Sequence, residues 1–156
     1  MRFLFLAFFT ILCFSCSSKP KNAADQNSEA AGEVFELYGN SDSKSAGGLR
    51  TVHFQKDSSS LSESSKNDLR NNAAWLKARP KVSVEIEGHC DERGSAEYNL
   101  ALGERRAKAA QKYLTTLNLK AENLSVISYG KEKPAVMGND EAAWAKNRRD
   151  EFVVAK

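Results

Sequence analysis

From residue 49 onward, short segments with strand periodicity alternate with longer segments of helical periodicity, and this alternation restricts the fold more than any other feature of the sequence. The clearest strand pattern covers residues 82–87, where Val, Val and Ile alternate with Ser, Glu and Glu. A period of two places one side of a strand in a core and the other side in water. Between the strand patterns, apolar residues recur every three or four positions, as on one face of a helix.

Capping residues and helix breakers predict the boundaries of these elements. Ser60 and Glu63 have the spacing of a capping box for a first helix, which Pro80 ends. Gly88 closes the strand that follows, and Ser95 caps a second, longer helix. The remaining predicted elements are a short strand at residues 52–54, a strand at 124–129, a short helix at 141–146 and a strand at 151–154.

The resulting order of elements is βαβαβ-loop-αβ. Strands and helices that follow one another in this way usually pack as two layers, because each helix covers the sheet with its apolar face. We therefore predict an α/β (α+β) two-layer sandwich in which the helices pack on one face of a mixed four-stranded sheet.

Bulk composition limits the number of domains and the class of partner. With 156 residues, of which 41% are hydrophobic, the chain can fill one core of ordinary size, and a second domain is not expected. The 23 basic and 20 acidic residues give a formal net charge of +3 and are interspersed along the chain. No continuous cationic stripe follows a phosphate backbone, so nucleic-acid binding is not expected.

The first residues have a different character from the rest. Arg2 precedes an apolar run at residues 3–14 that only Thr10 interrupts, and small residues follow the run. As a helix the run would span roughly 18 Å, well short of the ~30 Å hydrocarbon core of a membrane. Residues 1–15 are therefore predicted to be a signal peptide rather than a transmembrane helix.

Cys16 lies just beyond the apolar run, between Ser15 and Ser17. This arrangement resembles the lipobox at which exported bacterial lipoproteins are cleaved and acylated, and it predicts that Cys16 carries the lipid. Two alternatives stay open: acylation of Cys13, which the bulky Leu12 before it disfavours, and a plain signal peptide cleaved near Ser17. The odd count of three cysteines argues against a disulfide framework.

Residues 16–48 are rich in Ser, Ala, Gly, Asn and charged residues. A segment of this composition cannot bury enough apolar surface to offset its ordering entropy, so it is predicted to be a lipidated N terminus followed by a flexible tether. A short apolar patch at residues 34–38 could dock on the folded domain or on a partner. The folded domain itself is predicted to cover residues 49–156.

A group of polar residues lies where the second predicted strand meets the second long helix. Residues 88–94 read Gly-His-Cys-Asp-Glu-Arg-Gly, and loops at this place on a sheet commonly hold ligands. Asn99 and Arg106 are seven residues apart, close to two helical turns, so both lie on the helix face that carries Leu102. The carboxylate of Asp91 and the guanidinium of Arg106 would together suit a zwitterion such as an amino acid. The alternative is that Asp91 and Arg106 form a structural ion pair with each other.

An enzyme is the main rival class, because His89, Cys90, Asp91 and Glu92 are each a possible ligand or catalyst. If the loop continues the strand, His89 and Cys90 point to opposite sides and cannot share a proton. No spaced partner of the Cys-x-x-Cys or His-x-x-x-His kind completes a metal site. We therefore expect no catalysis, no bound metal and no cofactor.

Four segments of the chain resemble one protein family. They are residues 87–94 (EGHCDERG), 98–107 (YNLALGERRA), 128–134 (SYGKEKP) and 141–149 (EAAWAKNRR). Across residues 49–156 the chain is similar to the OmpA-like family, the domains that resemble the C-terminal part of outer-membrane protein A. The resemblance implies that the domain binds peptidoglycan non-covalently, through the meso-diaminopimelate of its stem peptides, without altering it chemically.

The resemblance also implies roles for individual residues. Asp91 and Arg106 occupy the positions that clasp the amino and carboxylate groups of diaminopimelate in the family. Asn99 matches a supporting residue, and Arg148 lies close to the same pocket. The wall of the pocket formed by the first strand falls on positions 54 and 55. The full set of implied peptidoglycan-binding residues is Phe54, Gln55, Asp91, Asn99, Arg106 and Arg148.

Four positions depart from the family pattern. Gln55 replaces a usual carboxylate and Lys56 a usual apolar residue, so the grip of the first-strand wall on an ammonium is expected to be weaker. Cys90 replaces a usual Ala or Thr, and Asp150 replaces a usual apolar residue. Local repacking is expected at both of these positions.

Location and partners follow from the same resemblance. Lipid-anchored members of the family sit in the outer membrane of Gram-negative cells with the domain facing the periplasm, and they link that membrane to the cell wall. Such members also contact the Tol system, in particular TolB, in envelope integrity and cell division. His53, Tyr129 and Trp144 are candidate contacts by their aromatic character. The alternative function is a periplasmic protein-interaction module with weak or no wall binding.

Overall fold

The structure is a computed structural model that describes residues 48–155. Its elements are β1 (Val52–His53), α1 (Glu63–Lys77), β2 (Ser83–His89), α2 (Ala96–Thr116), β3 (Leu124–Gly130), α3 (Glu141–Asn147) and β4 (Arg149–Ala155), with a 3-10 turn at Ala121–Asn123. The predicted signal peptide, Cys16 and the tether up to residue 47 lie outside the described residues. Within residues 48–155, no helix is both long enough and apolar enough to cross a membrane.

The four strands form one sheet in the order β1-β4-β2-β3. β4 is antiparallel to both β1 and β2, whereas β2 and β3 are parallel. The sheet is therefore mixed, the helices pack against it, and the predicted fold class is confirmed. In this topology the C-terminal ends of β1, β2 and β3 meet the start of β4 at one end of the sheet. Residues that follow the strands are brought together there.

The first helix begins at Glu63, and the predicted capping box at Ser60 is wrong. Ser62 is the N-cap, because its hydroxyl oxygen accepts a hydrogen bond from the backbone N–H of Ser65 at 3.1 Å. The hydroxyl of Ser65 in turn donates to the backbone carbonyl of His53 at 2.8 Å. This contact ties the first turn of α1 to β1, so a tertiary contact rather than local spacing decides where the helix starts.

Ser95 caps α2, as predicted. Its hydroxyl oxygen accepts a hydrogen bond from the backbone N–H of Tyr98 at 3.2 Å. The buried face of the helix carries two polar residues, Asn99 and Arg106, within an otherwise apolar stripe. The other buried residues of this face are Leu102, Gly103, Ala107, Ala110 and Leu114.

β2 continues to His89, one residue beyond the predicted end at Gly88. Gly88 is instead the point where the strand and α2 approach most closely. A Cβ atom at Gly88 would lie 2.1 Å from the carbonyl oxygen of Gly103. Only glycine permits this approach of two backbones, and it holds the N-terminal half of α2 against the end of β2.

The core lies between the sheet and the two long helices. Residues of β2 and β4 that alternate with polar ones point into it, as the period of two predicts. The buried apolar side chains of this cluster include Val52, Leu69, Leu76, Val84, Ile86, Ala107, Leu114, Phe152 and Val154.

Candidate ligand-binding site

The strand ends bring the predicted binding residues together. β1 and β2 both end, and β4 begins, at the same end of the sheet. Hydrogen bonds, either direct or through one intermediate residue, connect all six predicted binding residues. These residues are Phe54, Gln55, Asp91, Asn99, Arg106 and Arg148.

Arg106 is fully buried, with a relative exposure of 0%. Its Nε donates to the carbonyl oxygen of Ser58 at 2.9 Å, its Nη1 to that of His89 at 2.9 Å and its Nη2 to that of Gln55 at 3.0 Å. Burial lowers the pKa of Arg106, and the carbonyl dipoles take the place of the lost hydration. The guanidinium thereby fastens the loop after β1 to the end of β2.

Asp91 accepts hydrogen bonds from two arginines. Arg93 donates to it from Nε at 3.1 Å and from Nη2 at 2.6 Å, and Arg148 donates from Nη1 at 3.3 Å. Burial opposes ionisation, yet the hydrogen bonds from Arg93 and Arg148 hold the pKa of Asp91 below its usual value. Within residues 48–155 the ion-pair partners of Asp91 are these two arginines, so the alternative in which it pairs with Arg106 is not realised.

The two arginines extend the network beyond the predicted residues. Arg148 donates from Nε to the carbonyl oxygen of Phe54 at 3.2 Å and from Nη2 to the carboxylate of Glu141 at 2.7 Å. The guanidinium of Arg93 lies over the ring of Trp144, 3.9 Å from its centroid. Neither Arg93 nor Glu141 is among the site residues that the sequence predicts. The backbone N–H of Arg93 donates to Asp91 at 3.2 Å, and this two-residue spacing, typical of an Asx turn, is the signal that would have found Arg93.

Asn99 supports the loop rather than facing the two charges directly. Its Nδ2 donates to the carbonyl oxygen of Arg93 at 2.8 Å, and its own backbone carbonyl accepts from the thiol of Cys90 at 3.3 Å. Burial raises the pKa of Cys90 to about 11. The thiol therefore stays protonated at neutral pH and lacks the thiolate character of a reactive cysteine.

Phe54 and Gln55 border a groove beside this network. The groove has a volume of about 380 Å³, and Arg148 also lines it. Phe54 is buried, and its ring centroid lies 5.2 Å from the guanidinium carbon of Arg106. The side chain of Gln55 is exposed, and its backbone carbonyl is the part that contacts Arg106.

Asp150, one of the departures from the family pattern, lies inside the fold next to this site. Its relative exposure is 0%, and neither carboxyl oxygen has a hydrogen-bond partner among residues 48–155. Burial raises the pKa of Asp150 well above its usual value, and the positive charge of Arg106 offsets this only in part. Burial therefore favours the neutral form of this carboxyl group over the ionised form.

Asp150→Val is expected to raise the free energy of unfolding by about 1–3 kcal/mol at pH 7, because it removes an unpaired buried polar group from a strand. The pKa of Asp150 is higher in the folded than in the unfolded chain, so stability falls as the pH rises above the unfolded value of about 4. The gain from Asp150→Val should accordingly be smaller at pH 4 than at pH 7. Urea unfolding at both pH values measures it.

Asp150→Asn is the matched control, because it keeps a polar group of the same size but cannot ionise. This variant should remove the part of the pH dependence of stability that comes from Asp150, but it should stabilise the domain less than Asp150→Val does. An equal effect of Asp150→Val at pH 4 and pH 7 would show that the carboxyl group is not buried in its neutral form.

His89 and Cys90 lie on opposite sides of the sheet, as the alternation of side chains predicts. The ring of His89 stacks on Tyr129 with centroids 5.6 Å apart, whereas Cys90 contacts α2 through the carbonyl of Asn99. The two side chains therefore cannot exchange a proton directly.

Comparisons with known proteins show which family the chain is similar to. A sequence model of the OmpA family matches residues 53–148. The peptidoglycan-associated lipoprotein of Pasteurella multocida is 42% identical over 135 residues, which are 86% of this chain and 85% of that protein. The peptidoglycan-associated lipoprotein of Pseudomonas aeruginosa is 38% identical over an alignment of 160 positions that covers 97% of this chain and 95% of that protein.

A solved structure supports the same assignment. The crystal structure of the peptidoglycan-associated lipoprotein from Burkholderia pseudomallei has a TM-score of 0.66 and 42% sequence identity, and the match covers 68% of this chain and 90% of that chain. The family match covers more than half of the sequence, and the relatives span most of its length. This chain therefore belongs to the OmpA family.

Proposed function

We propose that this chain is a cell-envelope lipoprotein whose domain at residues 49–156 binds peptidoglycan non-covalently and leaves it chemically unchanged. The names and the high coverage of its relatives support the general activity. One observation carries the proposal for the site. Asp91 and Arg106 carry charges of opposite sign in one network, but they do not form an ion pair with each other. A zwitterionic ligand requires this combination.

The proposed ligand is the diaminopimelate residue of the stem peptide, which presents both an ammonium and a carboxylate group. The ammonium would bind Asp91, and the carboxylate would face the positive charge of Arg106 and Arg148. Four contacts already engage the guanidinium of Arg106, three to backbone carbonyls and one to the sulfur of Cys90. We therefore assign Arg106 mainly the electrostatic part of carboxylate binding and the shaping of the pocket, rather than a full two-bond clasp.

Arg93 has to release Asp91 before an ammonium can bind there. The side chain of Arg93 is more exposed than that of Asp91, 28% against 9%, so it can turn outward while Arg148 stays in place. Trp144 and Glu141 give Arg93 other partners on the surface. The ligand ammonium would thus replace Arg93 as a partner of the Asp91 carboxylate.

Asp91→Asn is expected to weaken binding to peptidoglycan by about 1–3 kcal/mol, because the amide keeps the shape of the carboxylate but cannot complement an ammonium. Pull-down of the purified protein with insoluble peptidoglycan, with free diaminopimelate as competitor, measures the loss. Glu104→Gln is the matched control, since it removes the same charge from the exposed pair with Lys108 on α2. Thermal melting of both variants should show a folded domain.

Two results would contradict the site assignment. One is retention of Asp91→Asn on the wall at the wild-type level. The other is an equal loss of binding in the Glu104→Gln control, which would point to net charge rather than to a site.

Anchoring and location belong to the same proposal. Residues 1–15 would be removed as a signal peptide, Cys16 would carry the lipid, and the tether up to residue 48 would connect it to the domain. Several buried acyl chains, each CH₂ contributing about 0.8 kcal/mol, would hold the protein in the outer membrane with the domain in the periplasm. Tethering would keep the domain near many repeated ligand sites, so a modest affinity at each site suffices.

The Tol system, TolB in particular, is the proposed protein partner. Support comes from three large apolar side chains that are exposed in the described part of the chain, Tyr98, Leu100 and Met137, with exposures of 45%, 52% and 85%. Tyr98 and Leu100 lie in the first turns of α2, beside the loop that carries Asp91. If the pull-down shows no wall binding, the protein-interaction module becomes the better description of the domain.

A further inference from the structure

A second polar cluster lies on the face of the sheet that points away from α1 and α2. Glu87 and His89 are two residues apart on β2, so their side chains share this face, and Glu151 is the register partner of Glu87 on β4. The Nε2 atom of His89 lies 3.5 Å from Oε2 of Glu87 and 3.9 Å from Oε1 of Glu151. One ligand atom of each residue lies within 4.8 Å of those of the other two.

His89 is the residue of this cluster that is hardest to explain by packing alone. Its relative exposure is 1%, and neither ring nitrogen has a hydrogen-bond partner among residues 48–155. Leaving buried polar atoms unpaired costs free energy, so such atoms usually have a partner. The ring is held in place by stacking on Tyr129, which leaves Nε2 directed at the two carboxylates.

We propose that Glu87, His89 and Glu151 form a binding site for one Zn²⁺ ion. Two ligands that each lie about 2.0–2.1 Å from a tetrahedral zinc ion are roughly 3.3–3.4 Å apart. The 3.5 Å distance from His89 to Glu87 therefore needs to shorten by about 0.1–0.2 Å, and the 3.9 Å distance to Glu151 by about 0.5–0.6 Å. The ligand atoms all lie within 4.8 Å of one another, so the two carboxylates would have to approach by at most about 1.4–1.5 Å, which side-chain rotation permits. Calcium and magnesium prefer oxygen ligands alone, so the imidazole favours zinc.

The surroundings of the cluster fit outer partners of a metal site. Arg149 donates from Nε to the carboxylate of Glu151 at 2.6 Å, and carboxylate ligands are commonly oriented by such hydrogen bonds. A cavity of about 440 Å³, with all three ligands in its wall, leaves room for water to complete the coordination.

The sequence predicted no metal site, because no Cys-x-x-Cys or His-x-x-x-His spacing is present beside His89 and Cys90. Glu87 and His89 do not form such a motif, and the third ligand, Glu151, comes from a strand more than sixty residues later. Only the antiparallel register of β2 and β4 brings it opposite Glu87.

Isothermal titration of the full-length, tag-free protein in detergent with Zn²⁺ tests the proposal. We expect one ion per chain. Binding should be at least about 100-fold weaker in Glu87→Gln and in His89→Gln, because each removes a direct ligand and loss of an outer partner alone costs about 10- to 100-fold. The chain has two histidines, so His53→Gln is the matched control for His89. Glu85→Gln is the matched control for Glu87, because Glu85 lies on the same face of β2 but is paired with Val153. Both controls should bind as wild type.

Circular dichroism separates a lost site from a lost fold, and Co²⁺ absorption in wild-type protein reports the tetrahedral geometry. Absence of stoichiometric zinc binding would overturn the proposal, as would wild-type affinity in folded Glu87→Gln and His89→Gln. If Glu85→Gln weakened zinc binding as much as Glu87→Gln does, the cause would be general attraction of the ion by acidic residues. That result would also overturn the proposal. Zinc binding is measured without cell wall, so its outcome is independent of the peptidoglycan proposal.

Discussion

Gly88→Ala is expected to lower the free energy of unfolding by about 3 kcal/mol or more, and to leave little folded protein if the domain is only marginally stable. The new Cβ would lie 2.1 Å from the carbonyl oxygen of Gly103 and 2.6 Å from its carbonyl carbon. Both are backbone atoms and cannot rotate away, so α2 has to move off the sheet. Urea unfolding followed by far-UV circular dichroism measures the loss.

Ser83→Ala, on the same strand but away from this contact, is the control and should change stability by no more than about 0.5 kcal/mol. Gly103→Ala tests the approach of α2 to the sheet from the other side, because its Cβ would lie 2.4 Å from Oγ of Ser128 on β3 and 2.8 Å from the carbonyl oxygen of Gly88. A wild-type unfolding midpoint for Gly88→Ala would mean that the strand and the helix are not in backbone contact.

Arg106→Ala is expected to lower the free energy of unfolding by about 3–5 kcal/mol, because it opens a cavity and leaves one buried and two part-buried backbone carbonyls without their donor. These carbonyls belong to Gln55, Ser58 and His89, so the loop after β1 should detach from the end of β2. Urea unfolding gives the magnitude, and near-UV circular dichroism reports the packing around Phe54.

Arg106→Lys should recover only part of the loss, since one ammonium cannot reach all the acceptors of a planar guanidinium. Arg105→Ala, an exposed neighbour on the same helix, is the control and should be near neutral. If Arg106→Ala unfolds like the wild type, the guanidinium is not a structural clamp. Because Arg106→Ala is expected to lose stability whatever it does to a ligand, Asp91 is the sharper probe of ligand binding.

Local patterns in the sequence predicted the elements of the fold well. The alternation over residues 82–87 identified β2, and Ser95 was correctly predicted to cap α2. Both features depend on interactions within a few residues: the geometry of consecutive side chains in a strand, and a hydroxyl within reach of an N–H three residues later.

The candidate site was predicted less completely. Residue types and resemblance together predict Asp91 and Arg106 as its charges, but the sequence left open whether they pair with each other. In the structure Asp91 pairs with Arg93 and Arg148, and Arg148 is 57 residues away along the chain. Several arginines lie near this buried carboxylate, and the packing of loops from different strands decides which of them pairs with it. No local sequence pattern encodes that choice.

The sequence by itself determined the types of the elements and their order, because hydrophobic periodicity acts along each segment separately. Tertiary structure alone decided that Ser62 caps α1 and that Gly88 contacts α2 rather than ending β2. It also decided that the guanidinium of Arg106 donates hydrogen bonds to backbone carbonyls. It also placed Glu151 opposite Glu87 and beside His89. The physical reason is the same in each case: strand register and the close approach of layers are set by burying the whole core at once, and they bring together residues that are distant in the chain.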